Sequence, residues 1–89
     1  MRAAFHYREH SIVFDRRFSG AALLIDGREC ARYRDGFLAQ ILKYDLEGEA
    51  VNEDGSRDRV RIAVRPGFWA DTVTLYYNDR EIENRHISE

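Results

Sequence analysis

In 89 residues the chain has one cysteine, Cys30, one proline, Pro66, and one lysine, Lys43. A lone Cys30 cannot close an intrachain disulfide, which excludes a small secreted scaffold held by bridges and makes a reducing, cytoplasmic compartment the expectation. No window approaches the roughly 18 apolar residues of a membrane helix, and MRAAFHYREH at the N-terminus has no apolar run of signal-peptide length. The expectation is a soluble protein with no membrane partner. The six glycines are scattered, so no phosphate-cradling loop can be drawn, and Ser11, Ser19, Ser56 and Ser88 sit in no nucleophile elbow. An excess of charge of one sign is also missing. Lys and Arg total 14 against 16 Asp and Glu, and this balance argues against a nucleic-acid partner, whose phosphates demand a basic excess. Exposed aromatics beside arginines could stack single-stranded RNA, but the same balance disfavours it.

What is present suffices for one core. The apolar fraction is 44%, and 5 Phe, 5 Tyr and 1 Trp supply bulk. A chain of this length has room for a single domain over residues 1–89, burying roughly 60–65% of its unfolded surface. Thirteen of the fourteen basic residues are Arg, which suits forked pairing with carboxylates.

Period-two patterning dominates. Phe5 and Tyr7, then Ile12 and Phe14, alternate with polar neighbours, so residues 3–15 read as one bent strand or two short ones. LLIDGREC at 23–30 is echoed 52 positions later by LYYNDREI at 75–82. Asp26-Gly27 is a strong hairpin signal because both turn residues must accept positive φ. It predicts Leu23 opposite Cys30 and Ile25 opposite Arg28; Asn78-Asp79 likewise predicts Leu75 opposite Ile82 and Tyr77 opposite Arg80. Residues 37–44 fit either a helical stripe or a strand, and the hairpin pattern immediately downstream favours a strand from about residue 40. Folding YDLEGEAV against RDRVRIAVR around Asp54 places Leu46 opposite Ile62, Glu47 opposite Arg61 and Glu49 opposite Arg59. Seven or eight short antiparallel strands built from hairpins close a core as two packed sheets, so the predicted fold is an all-β sandwich.

The series HSIVFD, SGAALLIDGREC, FLAQIL, VRIAV and GFWADTVTLYYNDREI resembles one domain of the Fas apoptotic inhibitory molecule family over about residues 10–86. That family usually has two such domains, carries Trp where this chain has Tyr33, and ends its second turn in Gly where this chain has Asp79. The resemblance implies a non-catalytic β-sandwich that works through protein contacts, with no catalytic residues to carry over.

Chemical candidates are few. His6 and His10 have the spacing of helical zinc ligands, but on a strand four residues span about 13 Å, too far to share an ion. NEDGSRD lacks the alternating ligands of a calcium loop. Cys30, facing Leu23, reads as a buried, inert thiol. Asp26 or Glu29 beside His10 or His86 would make an acid–base pair if the fold joined them. Tyr33, Tyr44, Tyr76 and Tyr77 would line an apolar ligand pocket if they converged, the mark of a small-molecule-binding or enzymatic β-barrel. Neither cofactor nor metal is expected. The leading expectation is a non-catalytic interaction module with a protein partner, and unprotected sheet edges add a weak homodimer. Its contact residues are expected at Phe68 and Trp69, adjacent aromatics beside Pro66-Gly67. On an extended backbone at most one of them enters the core. A loop folded back on itself would instead use both to plug the end of the sandwich.

Overall fold

Alternation of apolar and polar residues folds the chain into two four-stranded antiparallel meanders, and a computed structural model describes residues 1–88 of them. The first sheet runs β1 (Arg2–Tyr7), β2 (His10–Arg17), β3 (Gly20–Ile25) and β4 (Arg28–Tyr33) in sequence order. The second runs β5 (Tyr44–Val51), β6 (Arg57–Arg65), β7 (Asp71–Tyr77) and β8 (Arg80–Ile87), again in sequence order. One short helix, α1 (Leu38–Ile41), joins them. Phe5, Ile12, Phe14, Leu23 and Ile25 of the first sheet meet Leu46, Val60, Ile62, Val64, Val73 and Leu75 of the second in one buried cluster. The expected all-β sandwich is therefore present, with eight strands.

The β5–β6 register is the expected one, with Leu46 opposite Ile62, Glu47 opposite Arg61 and Glu49 opposite Arg59. The ion pairs form elsewhere, because an arginine reaches past its direct neighbour. Arg61 and Arg65 both pair with Asp45, at 3.2 and 2.9 Å, Arg57 pairs with Glu49 at 3.2 Å, and Arg59 pairs with Asp79.

Residues 3–15 resolve into two strands. Their turn, Arg8-Glu9, has φ of 49° and 65°, the same handedness as Asn78-Asp79 at 51° and 65°. Both echoed hairpins keep the expected first pairs, Ile25 with Arg28 and Tyr77 with Arg80. Each then slips by one. Leu23 faces Ala31 and Leu75 faces Glu83, so Cys30 and Ile82 are the extra residues of two bulges at matching positions. The two copies thus end the two sheets in the same way.

The strand expected from about residue 40 begins at Tyr44. Asp35 holds the preceding segment helical: its Oδ1 accepts from the Leu38 N–H and its carbonyl from the Ala39 N–H, both at 2.9 Å. Cys30 is partly exposed, because the bulge gives its expected place opposite Leu23 to Ala31, and its Sγ donates to the Arg28 carbonyl at 3.4 Å.

Candidate functional site

An up-and-down meander sends its connections alternately to its two ends, and here the two ends differ in chemistry. One end collects the β1–β2, β3–β4, β5–β6 and β7–β8 turns. Their residues include Glu9, Asp26, Glu53, Asp54 and Asp79 against Arg8. The other end collects the β2–β3 turn, the α1 connection and the β6–β7 loop, and these carry Phe18, Phe37, Ile41, Leu42, Phe68 and Trp69.

Phe68 and Trp69 are 89% and 85% exposed. Neither ring enters the core, within the expected limit of at most one, and the plug does not form. The loop residues lie beyond the last ladder pair, Arg65 with Thr72, and the rings rest on each other edge to face at 4.7 Å. Phe18 at 95% exposure and Phe37 at 63% extend the apolar surface, and neither stands out in the sequence as a contact residue. The one signal there is Phe18 inside a polar turn, Arg-Arg-Phe-Ser-Gly. Gly36 fastens these segments together: a Cβ there would lie 1.6 Å from the Phe18 carbonyl oxygen, so only glycine lets the α1 connection lie on the β2–β3 turn. A groove of about 440 Å³ opens between Phe18, Gly36, Phe37, Gln40 and Ile41. Gln40 also borders the Phe68–Trp69 loop, which makes the groove and the aromatic pair neighbours.

Beneath this surface the Arg16 guanidinium meets the Asp71 carboxylate at 2.6 Å, with side-chain exposures of 5% and 15%. The pair ties β2 to β7 across the sandwich. The Tyr44 hydroxyl donates to the Ala39 carbonyl at 3.0 Å, and burial pushes its pKa up to about 12.

At the acidic end, His10 is buried and does find Asp26, with Nδ1 to Oδ2 at 2.7 Å, while Nε2 meets Asn52 Oδ1 at 2.8 Å. The Asn52 amide nitrogen donates to Asp58 and Ser56 Oγ, each at 3.0 Å. Asp58, which can only accept, fixes that amide with its oxygen towards His10. Both imidazole nitrogens therefore face acceptors and both must carry protons. The hydrogen bonds to Asn52 and Asp26 raise the His10 pKa against the opposing effect of burial. Such an imidazolium has no lone pair to act as a base; it fastens the first sheet to the second. Hydrogen bonds from Asn52, Tyr77 and Asn78 lower Asp58 to about 2.

The other candidates stay apart. Glu29 pairs with Arg32, His86 lies 3.2 Å from Thr72 Oγ1, and His6 is exposed. The four tyrosines do not converge: Tyr33 stacks on Tyr44 at 4.6 Å, Tyr77 packs on Tyr7 at 4.9 Å, and Tyr76 lies under Arg61 at 3.9 Å. Among the described residues no group of three or more His, Cys, Asp or Glu could hold a metal ion, and no helix is long and apolar enough to cross a membrane.

Fold and site together define a small antiparallel β-sandwich with one polar end, where an open depression of about 430 Å³ borders the His10 clamp, and one aromatic end exposed to solvent. No family model, curated protein or solved structure matches the chain.

Proposed function

We propose that the protein is a non-catalytic interaction module that docks through its aromatic end. One observation carries this: Phe18, Phe68 and Trp69 are each at least 85% exposed on connections of the same end. Rings left in water gain nothing for the fold, whereas aromatic side chains are the residues most enriched where binding energy concentrates. The likeness in sequence to the Fas apoptotic inhibitory molecule family points the same way, to work done through protein contacts. The competing reading, a ligand-binding or enzymatic barrel, would use the open depression of about 430 Å³ at the polar end, lined among others by His10, Asp26, Asn52, Glu53 and Asp54, but His10, the one buried imidazole, has both nitrogens occupied there.

The test is affinity capture from the native source with the intact protein and with a Phe68→Ser/Trp69→Ser variant. A partner retained by the first and lost by the second, at unchanged melting temperature, supports docking through this end. Equal capture by both refutes it.

A further inference from the structure

We infer that the aromatic end is a self-association surface, and that two copies meet end to end about a two-fold axis. In this arrangement the Phe68–Trp69 pair of each copy seats in the partner copy's groove between Phe18, Phe37 and Ile41. The inference rests on the docking surface proposed above and names its occupant.

Area supports a second copy. An aromatic side chain carries roughly 150–250 Å², so Phe18, Phe37, Phe68 and Trp69 leave on the order of 500–800 Å² of ring surface in solvent at their exposures of 63–95%. The largest apolar patch of a typical monomer is about 300–600 Å². A specific interface buries about 800 Å² per partner and at least about 1,000 Å² in all, which two such ends reach together once Ile41 and Leu42 are added.

Shape supports it too. A projecting knob, Phe68 and Trp69, and an open groove, Phe18 to Ile41, share one end and border the same Gln40. A two-fold axis lying in the interface and running between them sets each knob against the other copy's groove, as a self-complementary interface requires. The charges agree with this geometry. Exposed charge on the α1 connection is mixed, Arg34 and Lys43 against Asp35, so a two-fold axis offers each copy's cations the other copy's Asp35. An interface about a two-fold axis uses the same patch on both copies, so the association closes at two.

Sedimentation equilibrium from micromolar to millimolar concentration tests this with two variants, a knob variant, Phe68→Ala/Trp69→Ala, and a groove variant, Phe37→Arg/Ile41→Arg. The residues changed are exposed, so both variants should keep the native melting temperature, and this is checked first. The intact chain should dimerise, and each variant should lose at least about thirtyfold in affinity. An equimolar mixture of the two variants retains one intact knob and one intact groove, so it should associate more tightly than either variant alone. A monomer throughout the range overturns the inference, as does a mixture no tighter than its components. If the monomer then captures a different protein through Trp69, the docking surface stands and only its occupant is wrong. If its Trp69 emission shifts to the blue on vesicles of phosphatidylcholine and phosphatidylserine, the occupant is a lipid surface and both proposals fall.

Discussion

His10 is where single-residue chemistry decides most. Its imidazole is charged because Asp26 and Asn52 both accept from it, and Asn52 cannot turn over without placing its carbonyl oxygen against Asp58. The folded protein thus holds this proton more tightly than the unfolded chain, where the pKa is about 6.5. Its contribution to stability is complete below about pH 6.5 and is lost as pH rises through the raised folded value. The melting temperature should accordingly fall on the alkaline side of neutrality, and His10→Gln, less stable at pH 6, should remove most of that slope. A His10 proton resonance titrating at or below about 6.5 would contradict the clamp. Asp58 works in the opposite sense. Its folded pKa of about 2 is below the unfolded value, so its contribution is present above about pH 4 and disappears as pH falls through 2. Asn52→Ala removes a partner from both groups and should narrow the stable range from both sides, which a series of thermal melts against pH would show.

At the level of elements, the turns carry a cost that substitution can remove. Glu9 and Asp79 occupy the second place of two-residue turns at φ 65°, where Gly27 serves the remaining two-residue turn of this type at φ 83°. A non-glycine residue held there is strained by roughly 1 kcal/mol. Glu9→Gly and Asp79→Gly should each raise stability by about 0.5–1 kcal/mol in urea unfolding; Asp79 gives up only an exposed pair with Arg59, worth little. Gly48 is a different case. A Cβ there would lie 2.8 Å from Cys30 Cβ and 3.0 Å from Ile25 Cδ1, so Gly48→Val should cost about 1–3 kcal/mol by wedging β5 off the first sheet. These elements also show what the sequence reveals and what it hides. Period-two patterning and Asp26-Gly27 announce strands and turn, and the Leu46–Ile62 register comes from two facing rows of side chains. Arg8-Glu9 conceals a hairpin, because neither residue favours positive φ and tertiary packing imposes it. The bulges at Cys30 and Ile82 leave no mark, since an extra residue in a strand changes only the partner. Of the His10 clamp, Asp26 at 16 residues' distance is among the partners the sequence offers, whereas Asn52, 42 residues away, is hidden. Trp69 and Phe68 are legible as contact candidates because they flank a Pro-Gly turn, whereas Phe18 and Phe37 require the fold to bring their connections to the same end.

Across the whole molecule the inward-facing row of β2 reads His10, Ile12, Phe14, Arg16, with a charged group at each end of an apolar centre. Each charge reaches to the opposite sheet, so the sandwich is pinned at both ends as well as filled in the middle. At the aromatic end this pin lies under the exposed rings, and the two layers should respond to mutation in opposite ways. Asp71→Ala removes the carboxylate that lies 2.6 Å from the Arg16 guanidinium, in a pair with side-chain exposures of 5% and 15%. Losing a hydrogen bond to a charged group costs about 1.5–3 kcal/mol, and in a domain this small each kcal/mol moves Tm by about 4–8 °C. A fall of more than about 6 °C is therefore expected. Replacing both partners, Arg16→Met with Asp71→Leu, exchanges the pair for apolar side chains and should recover part of that loss. Phe68→Ala and Trp69→Ala, a few residues away, remove rings that touch mainly each other and should stay within about 0.5 kcal/mol of the intact protein. Thermal melts of these variants separate the layers. If Trp69→Ala destabilises as much as Asp71→Ala, the rings belong to the fold and the aromatic end is no contact surface; if Asp71→Ala melts like the intact chain, the sandwich is held by its apolar centre alone.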